Sequence, residues 1–240
     1  MLREAGLKTA AASLAETDTV TSGSIRYRNP ALSVNRQAQC ESLTFKNEDL
    51  RFFVTPEDQT IKALAARTRG YAGAYEMALQ WVYVSDEKLN HSVDKWLTPY
   101  EFLTNVPQYP GNPLPGQAVG DCEEKANTLV SILRAQGVPP EDVRVVLGEV
   151  AFGDSETGHA WVELSLEGRW LVLDPCLGPY WDDRVDRLFS RPGVPLKYYS
   201  NHVFPVLQVW TYYNDVYYLE VRSASGDAPP SWGVAGPAGL

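Results

Sequence analysis

The chain is poor in cysteine, in positive charge and in long apolar segments. It contains 3 cysteines in 240 residues, too few for a disulfide scaffold, and the odd count leaves at least one thiol free. Lys and Arg number 21 against 30 Asp and Glu, a formal charge of −9. Because an acidic chain repels phosphate groups, we expect no nucleic-acid partner. The apolar runs are too short to span a bilayer, so we expect no membrane insertion.

The N-terminus and the few cysteines indicate a compartment. Residues 9–15 are mostly alanine, too weakly apolar for the core of a signal peptide. Free thiols persist in reducing compartments. The sequence therefore predicts a cytoplasmic protein without a signal peptide.

Composition predicts one globular domain with two appendages. With 44% hydrophobic and 21% charged residues, the chain is close to globular averages, and its length suits one domain. Residues 1–23 are rich in Ala, Thr and Ser and predict a flexible arm. Residues 223–240 hold four Gly, three Pro and four Ala and predict a disordered tail. The domain then covers residues 24–222.

The central part of the chain predicts one strong helix followed by strands. Asp121 and Glu124 are placed as a capping box, and Gly137 ends the helix. Alternating or apolar runs rich in β-branched and aromatic residues predict three strands, with a further aromatic hairpin near the C-terminus. The predicted strands span residues 143–152, 160–166 and 169–173, and the hairpin spans 206–221. This order indicates an α+β domain.

Cys122 is the first residue of the predicted helix. Unpaired N–H groups and the positive end of the helix dipole stabilise a thiolate at that position. The same residue is in phase with the apolar stripe of the helix, so an ordinary core cysteine is the alternative.

His159 and Asp174 are predicted to share one face of a β-hairpin. Residues 158–164 alternate, which puts His159 on the face of Trp161. If Glu167 and Gly168 form a two-residue loop, Trp161 lies opposite Asp174, and His159 becomes the diagonal neighbour of that carboxylate. A shift of one residue would send the two side chains to opposite faces.

A thiol, an imidazole and a carboxylate so placed predict nucleophilic catalysis. In this hypothesis His159 takes the proton of Cys122 and later protonates the leaving amine, and Asp174 fixes the imidazole tautomer. The thioester on Cys122 forms through tetrahedral species that need an oxyanion hole. The backbone N–H of Cys122 is the first expected donor, and Gln117, then Trp96, are candidates for the second.

Three blocks of sequence resemble the signatures of the transglutaminase-like superfamily. They are residues 120–126 (GDCEEKA), 158–163 (GHAWVE) and 170–175 (WLVLDP). Upstream, residues 83–86 (YVSD) and 96–103 (WLTPYEFL) resemble the lead-in of bacterial transglutaminase-like cysteine proteinases. The resemblance covers residues 81–175 and implies a papain-like core, in which the Cys-bearing helix packs on an antiparallel sheet. The sequence departs from the family in its long Pro- and Gly-rich loop over residues 106–119.

The resemblance also implies a catalytic activity and a metal. It implies cysteine peptidase, transglutaminase or deamidase activity on a protein or peptide substrate. Because no dedicated amine site can be argued, water is the default acceptor, and we expect a thiol peptidase or amidohydrolase that acts on peptide or isopeptide bonds. A transglutaminase or deamidase, and a binding module without activity, are the alternatives. No cofactor is required, but Asp121 and Glu123 are candidate calcium ligands, as in some relatives. A helix cap and a solvated first-turn acid are equally good interpretations of these two residues, since calcium usually takes six or more oxygens.

Zinc is not expected from the sequence. Cys176, Cys122 and His159 are residue types that bind zinc, but they lack the close spacing of paired zinc ligands.

Overall fold

The computed structural model describes residues 49–152, 155–190 and 205–233. Cys40, His202 and the predicted arm of residues 1–23 lie outside these ranges. The described helices are α1 (Gln59–Arg67), α2 (Gly70–Ala78), α3 (Asp86–Asn90) and α4 (Cys122–Ala135). None of the helices in these ranges is long and apolar enough to cross a membrane.

Ten described strands form two sheets. A small sheet has the order β2-β1-β6-β7, and a larger one has the order β10-β9-β8-β3-β4-β5, with antiparallel neighbours throughout. In the small sheet β1 pairs in parallel with both β2 and β6. The strands are β1 (Val82–Tyr83), β2 (Val119–Gly120), β3 (Val143–Phe152), β4 (Ser155–Leu166), β5 (Arg169–Leu173), β6 (Tyr180–Asp182), β7 (Arg187–Phe189), β8 (Val206–Tyr213), β9 (Tyr218–Glu220) and β10 (Ser225–Gly226).

The hairpin of β4 and β5 has the predicted register. Val162 lies opposite Leu173 and Leu166 opposite Arg169. Glu167 and Gly168 form the loop with φ angles of 52° and 77°. Positive φ at both positions is typical of a type I′ turn, whose twist matches that of the strands. The predicted register is confirmed. This register determines the position of Asp174, which directly follows β5.

Helix α4 packs in the centre of an α+β domain. A capping box of Asp121 and Glu124 begins the helix, as the sequence predicts. The larger sheet contacts it through the Tyr213 hydroxyl, which donates to Asn127 Oδ1 at 2.7 Å. On another side, the Thr55 N–H donates to Ser131 Oγ at 2.8 Å. Every residue from Cys122 to Leu133 is buried, on all faces of the helix. The helix therefore lies in the core, whereas its apolar stripe predicts that only one face is buried.

The C-terminal segment corrects one prediction. Residues 223–233 are ordered against the domain, although the sequence predicts disorder from residue 223. Trp232 is fully buried, and its Nε1 donates to the Glu141 carbonyl at 3.0 Å. The Arg144 guanidinium lies over the rings of Trp170 and Tyr212 at 4.0 and 3.6 Å. The segment is ordered despite its Gly- and Pro-rich composition, because burial of one large aromatic side chain removes a large apolar surface from water. Residues 234–240 lie outside the described ranges.

Candidate active site

Cys122 stands where the loop after β2 turns into α4. It directly follows the helix cap Asp121, so its backbone N–H belongs to the first turn of the helix. The side chain is 6% exposed. Its Sγ donates to Glu123 Oε2 at 3.2 Å. The thiol thus lies at the positive end of the helix with a carboxylate beside it.

His159 and Asp174 form a buried pair at the end of the hairpin. His159 Nε2 lies 2.9 Å from Asp174 Oδ2, and both side chains are fully buried. The second carboxylate oxygen, Oδ1, accepts the Cys176 N–H at 2.8 Å. The Tyr75 hydroxyl donates to the Asp174 carbonyl at 3.3 Å. Asp174 is therefore held on both sides, which fixes its orientation toward the imidazole.

Asp174 and Cys122 both influence the charge of the imidazole. Burial opposes its charged form, but the Asp174 carboxylate, and after it the Cys122 side chain, outweigh burial and raise the pKa of His159 to about 10. The structure thus brings Cys122, His159 and Asp174 together in one buried array.

Trp161 and Gly148 enclose the imidazole. The Trp161 ring stacks on His159 with centroids 6.2 Å apart. Gly148 lies opposite His159 on β3, and a Cβ there would meet Trp161 Cη2 at 2.9 Å. The alternation of β4 predicts that His159 lies on the less apolar face, but Trp161 on that face is fully buried. Both faces of this strand are covered.

The two candidates for the second oxyanion donor differ in their surroundings. The Gln117 N–H donates to the Leu114 carbonyl at 3.0 Å, and the side chain is exposed. Its N–H is thus used within its own turn, which corrects the expectation that it is a ready donor. Trp96 packs on the rings of Phe53 and Tyr213. Trp96 stays a prediction.

Several carboxylates gather beside Cys122. One ligand atom each of Asp86, Asp121 and Glu124 lie within 4.8 Å of one another, and the same holds for Asp86, Asp94 and Glu123. Glu124 uses its two oxygens to accept the N–H groups of Leu97 and Asp121, both at 3.1 Å. The sequence analysis singled out only Asp121 and Glu123. Asp86 is 35 residues from Asp121, so only the pairing of β1 with β2 brings it close.

The charges of this cluster repel one another. Burial, and then the nearby Asp121, raise the pKa of Asp86 to about 8. Burial and the neighbouring carboxylates likewise raise the pKa values of Glu123 and Glu124 well above the ordinary range. Buried carboxylate oxygens are the ligands that calcium prefers, and a divalent cation relieves their repulsion. The donor set therefore fits calcium, with Asp86 and Asp94 added to the two residues that the sequence suggested.

Two further buried groups lie near the array. Lys125, on α4, is fully buried and donates from Nζ to the Trp81 carbonyl at 2.9 Å. Burial lowers its pKa, against the pull of nearby acidic groups. Cys176 is 2% exposed, and burial raises the pKa of its thiol. Sequence reasoning missed Lys125, because its position beside Cys122 on the helix carries no signal of its own.

Comparison with known proteins gives one family and a set of related folds. Residues 62–175 match the family model of the transglutaminase-like superfamily. No curated protein sequence matches the chain. Among solved structures, LapG of Legionella pneumophila treated with EGTA is 16% identical with a TM-score of 0.43, over 75% of this chain and 94% of that one. Its calcium-bound structure is 17% identical with a TM-score of 0.40, over the same shares.

The family match runs from α1 to the residue after Asp174, and so includes Cys122, His159 and Asp174. The fold agrees with this match, because a Cys-bearing helix packs on an antiparallel sheet in an α+β core. The match over residues 62–175 supports the transglutaminase-like superfamily as the family of this domain.

Proposed function

We propose that this protein is a thiol hydrolase that cleaves peptide or isopeptide bonds, with Cys122 as nucleophile, His159 as general base and acid, and Asp174 as the residue that orients His159. The observation that carries the proposal is the buried pair of His159 Nε2 and Asp174 Oδ2, 2.9 Å apart, with the Cys122 side chain close enough to raise the pKa of the imidazole. A thiol alone on a helix would be an ordinary core cysteine; the imidazole beside it supplies a proton acceptor.

The reaction follows from the positions of these groups. The Cys122 proton moves to the imidazole, and the sulfur attacks the substrate carbonyl. The Cys122 N–H at the helix start is placed to stabilise the oxyanion of the tetrahedral species. His159 returns the proton to the leaving amine, which leaves a thioester on Cys122. The imidazole then takes a proton from water as water attacks the thioester. The C–S bond breaks, the acid product leaves, and the imidazole returns the proton to the Cys122 sulfur.

Calcium binding is part of the proposal. Asp86, Asp94, Asp121 and Glu123 are the residues that would hold the ion, and the bound ion would neutralise their charge. Glu123 Oε2 accepts a hydrogen bond from Cys122 Sγ at 3.2 Å. An ion that holds the Glu123 carboxylate would compete with this hydrogen bond and so leave the thiol to His159.

The proposal is tested with a peptide library in water enriched in ¹⁸O. The sample contains calcium and a small primary amine, and mass spectrometry reads the products. We expect shortened peptides that carry ¹⁸O at the new carboxyl terminus. Cys122→Ala should yield none, whereas the matched variant Cys40→Ala should act like wild type.

Four other results would contradict the proposal in different ways. Peptides joined to the amine without cleavage would indicate a transglutaminase. Uncleaved peptides with ¹⁸O in converted glutamine side chains would indicate a deamidase. Product formation by Cys122→Ala, or no reaction in any variant together with tight protein binding, would remove the nucleophile or favour a binding module.

A further inference from the structure

Cys176 is a second buried thiol that the proposed reaction does not use. Its side chain is 2% exposed, and its backbone N–H donates to Asp174 Oδ1 at 2.8 Å. Its Sγ, one Asp174 oxygen and one ring nitrogen of His159 all lie within 4.8 Å of one another. Sulfur, nitrogen and oxygen donors therefore meet around the buried pair of His159 and Asp174.

This donor set differs in kind from the carboxylate cluster. Sulfur, imidazole nitrogen and carboxylate oxygen together suit a borderline cation such as Zn²⁺ or Co²⁺, whereas calcium takes oxygen ligands. Tetrahedral zinc places such donors about 3.5 Å apart. The observed separations, up to 4.8 Å, exceed that spacing by little more than about 1 Å. The sequence disfavours zinc because it lacks paired ligands, but the fold places a thiol of one turn beside a histidine of another strand.

We propose that His159, Asp174 and Cys176 form an inhibitory binding site for Zn²⁺. On binding, the Cys176 thiol and the protonated imidazole each lose one proton to solvent, and the metal takes the lone pair that this frees on the ring nitrogen facing Asp174. The other ring nitrogen then carries the single remaining proton, so His159 has no lone pair with which to accept the proton of Cys122. The metal also replaces the hydrogen bond between His159 and Asp174. The inhibition rests on the proposed function, but the binding does not.

The alternative is a metal held by Cys122 together with His159. Cys122 and Cys176 both lie near His159, so the two possible metal sites differ in which cysteine they require. In the proposed site the ligands come from β4 and from the turn after β5, and the thiol at the start of α4 stays outside. Removing Cys122 should then leave metal binding intact.

Binding is tested with Co²⁺ as a spectroscopic probe of the full chain. Every sample carries Cys40→Ala and saturating calcium, which keeps Co²⁺ off the carboxylates. We expect the thiolate-to-cobalt absorption of a tetrahedral site in the Cys122→Ala protein, its loss in Cys176→Ala, and its displacement by Zn²⁺. Absorption that persists in Cys176→Ala but disappears in Cys122→Ala, or no tetrahedral spectrum at all, would overturn the site. Circular dichroism checks the fold, and Cys176→Ser replaces Cys176→Ala if the latter does not fold.

Inhibition is tested on active protein, with each rate divided by the zinc-free rate of the same variant. We expect the zinc concentration for half inhibition to rise at least tenfold in Cys176→Ala. An unchanged value would refute the inhibitory role of Cys176. A cobalt spectrum that depends on Cys176 in a protein without hydrolase activity would keep the metal site and reject the proposed function, so the two failures are distinguishable.

Discussion

Replacing Asp174 by Asn removes one charge from the buried pair and keeps its shape. The pKa of His159 rises from 6.5 to about 10, with Asp174 as the strongest cause of the rise, which corresponds to about 5 kcal/mol in favour of the protonated ring. Loss of one partner of a buried pair costs about 3–5 kcal/mol. If this loss falls entirely on the reaction, turnover decreases by about 10²- to 10⁴-fold.

The structure gives a second reason for this loss. In the Asp174→Asn variant the side-chain carbonyl oxygen can still accept the Cys176 N–H, but the side-chain NH₂ group would then face His159 Nε2. An NH₂ group there donates, so Nε2 must accept and the ring proton moves to the nitrogen that faces Cys122. That tautomer cannot take the thiol proton.

The assay is an NMR titration of the imidazole signals, which come from only 3 histidines. We expect the His159 midpoint near pH 10 in wild type and a decrease of several units in Asp174→Asn. The pair stabilises the fold fully below about pH 6.5, and this stabilisation is lost as the pH rises through about 10, because the native state holds the proton more tightly. A wild-type midpoint near 6.5, or the same midpoint in both proteins, would refute this reasoning.

Three further predictions concern stability. Asp86 titrates near pH 8 when folded but near 3.9 when unfolded, so the metal-free protein loses stability as pH rises from about 4 to about 8. Calcium should therefore raise the melting temperature more at pH 8 than at pH 5. If calcium raises the melting temperature of Glu123→Gln by the same amount, Glu123 is not a calcium ligand. Gly148→Ala should cost about 1–3 kcal/mol in urea unfolding, because its Cβ would clash with the Gln208 carbonyl oxygen and lie 2.9 Å from Trp161 Cη2. A neutral effect would mean that both the β8 backbone and the Trp161 ring give way. Trp232→Ala should cost about 3–5 kcal/mol in the same assay, whereas a disordered tail would give no change.

The sequence predicted what depends on local pattern. The capping box at Asp121, the strands and the hairpin register are all set by neighbouring residues, and the observed pairing of Val162 with Leu173 follows from the two-residue loop. That register is enough to bring Asp174 within reach of His159. Family resemblance supplied the expectation of a papain-like core around these elements.

What the sequence did not predict depends on contacts between distant segments. Asp86 reaches the carboxylate cluster only because β1 pairs in parallel with β2. Trp232 is buried against the turn before β3 and the start of β3, about ninety residues earlier, which composition alone cannot show. The N–H of Gln117 is taken up by a turn of its own loop, a detail that proline and glycine content does not specify.

The most direct test of the central claim is the rate at which iodoacetamide alkylates Cys122 near pH 7, read by mass spectrometry in wild type and in His159→Ala. Cys40 and Cys176 of the same molecules are internal controls. If the imidazole activates the thiol, Cys122 reacts faster than both controls in wild type and slows by at least tenfold in His159→Ala. Equal rates in the two folded proteins, or a Cys122 that reacts no faster than Cys176, would contradict the account.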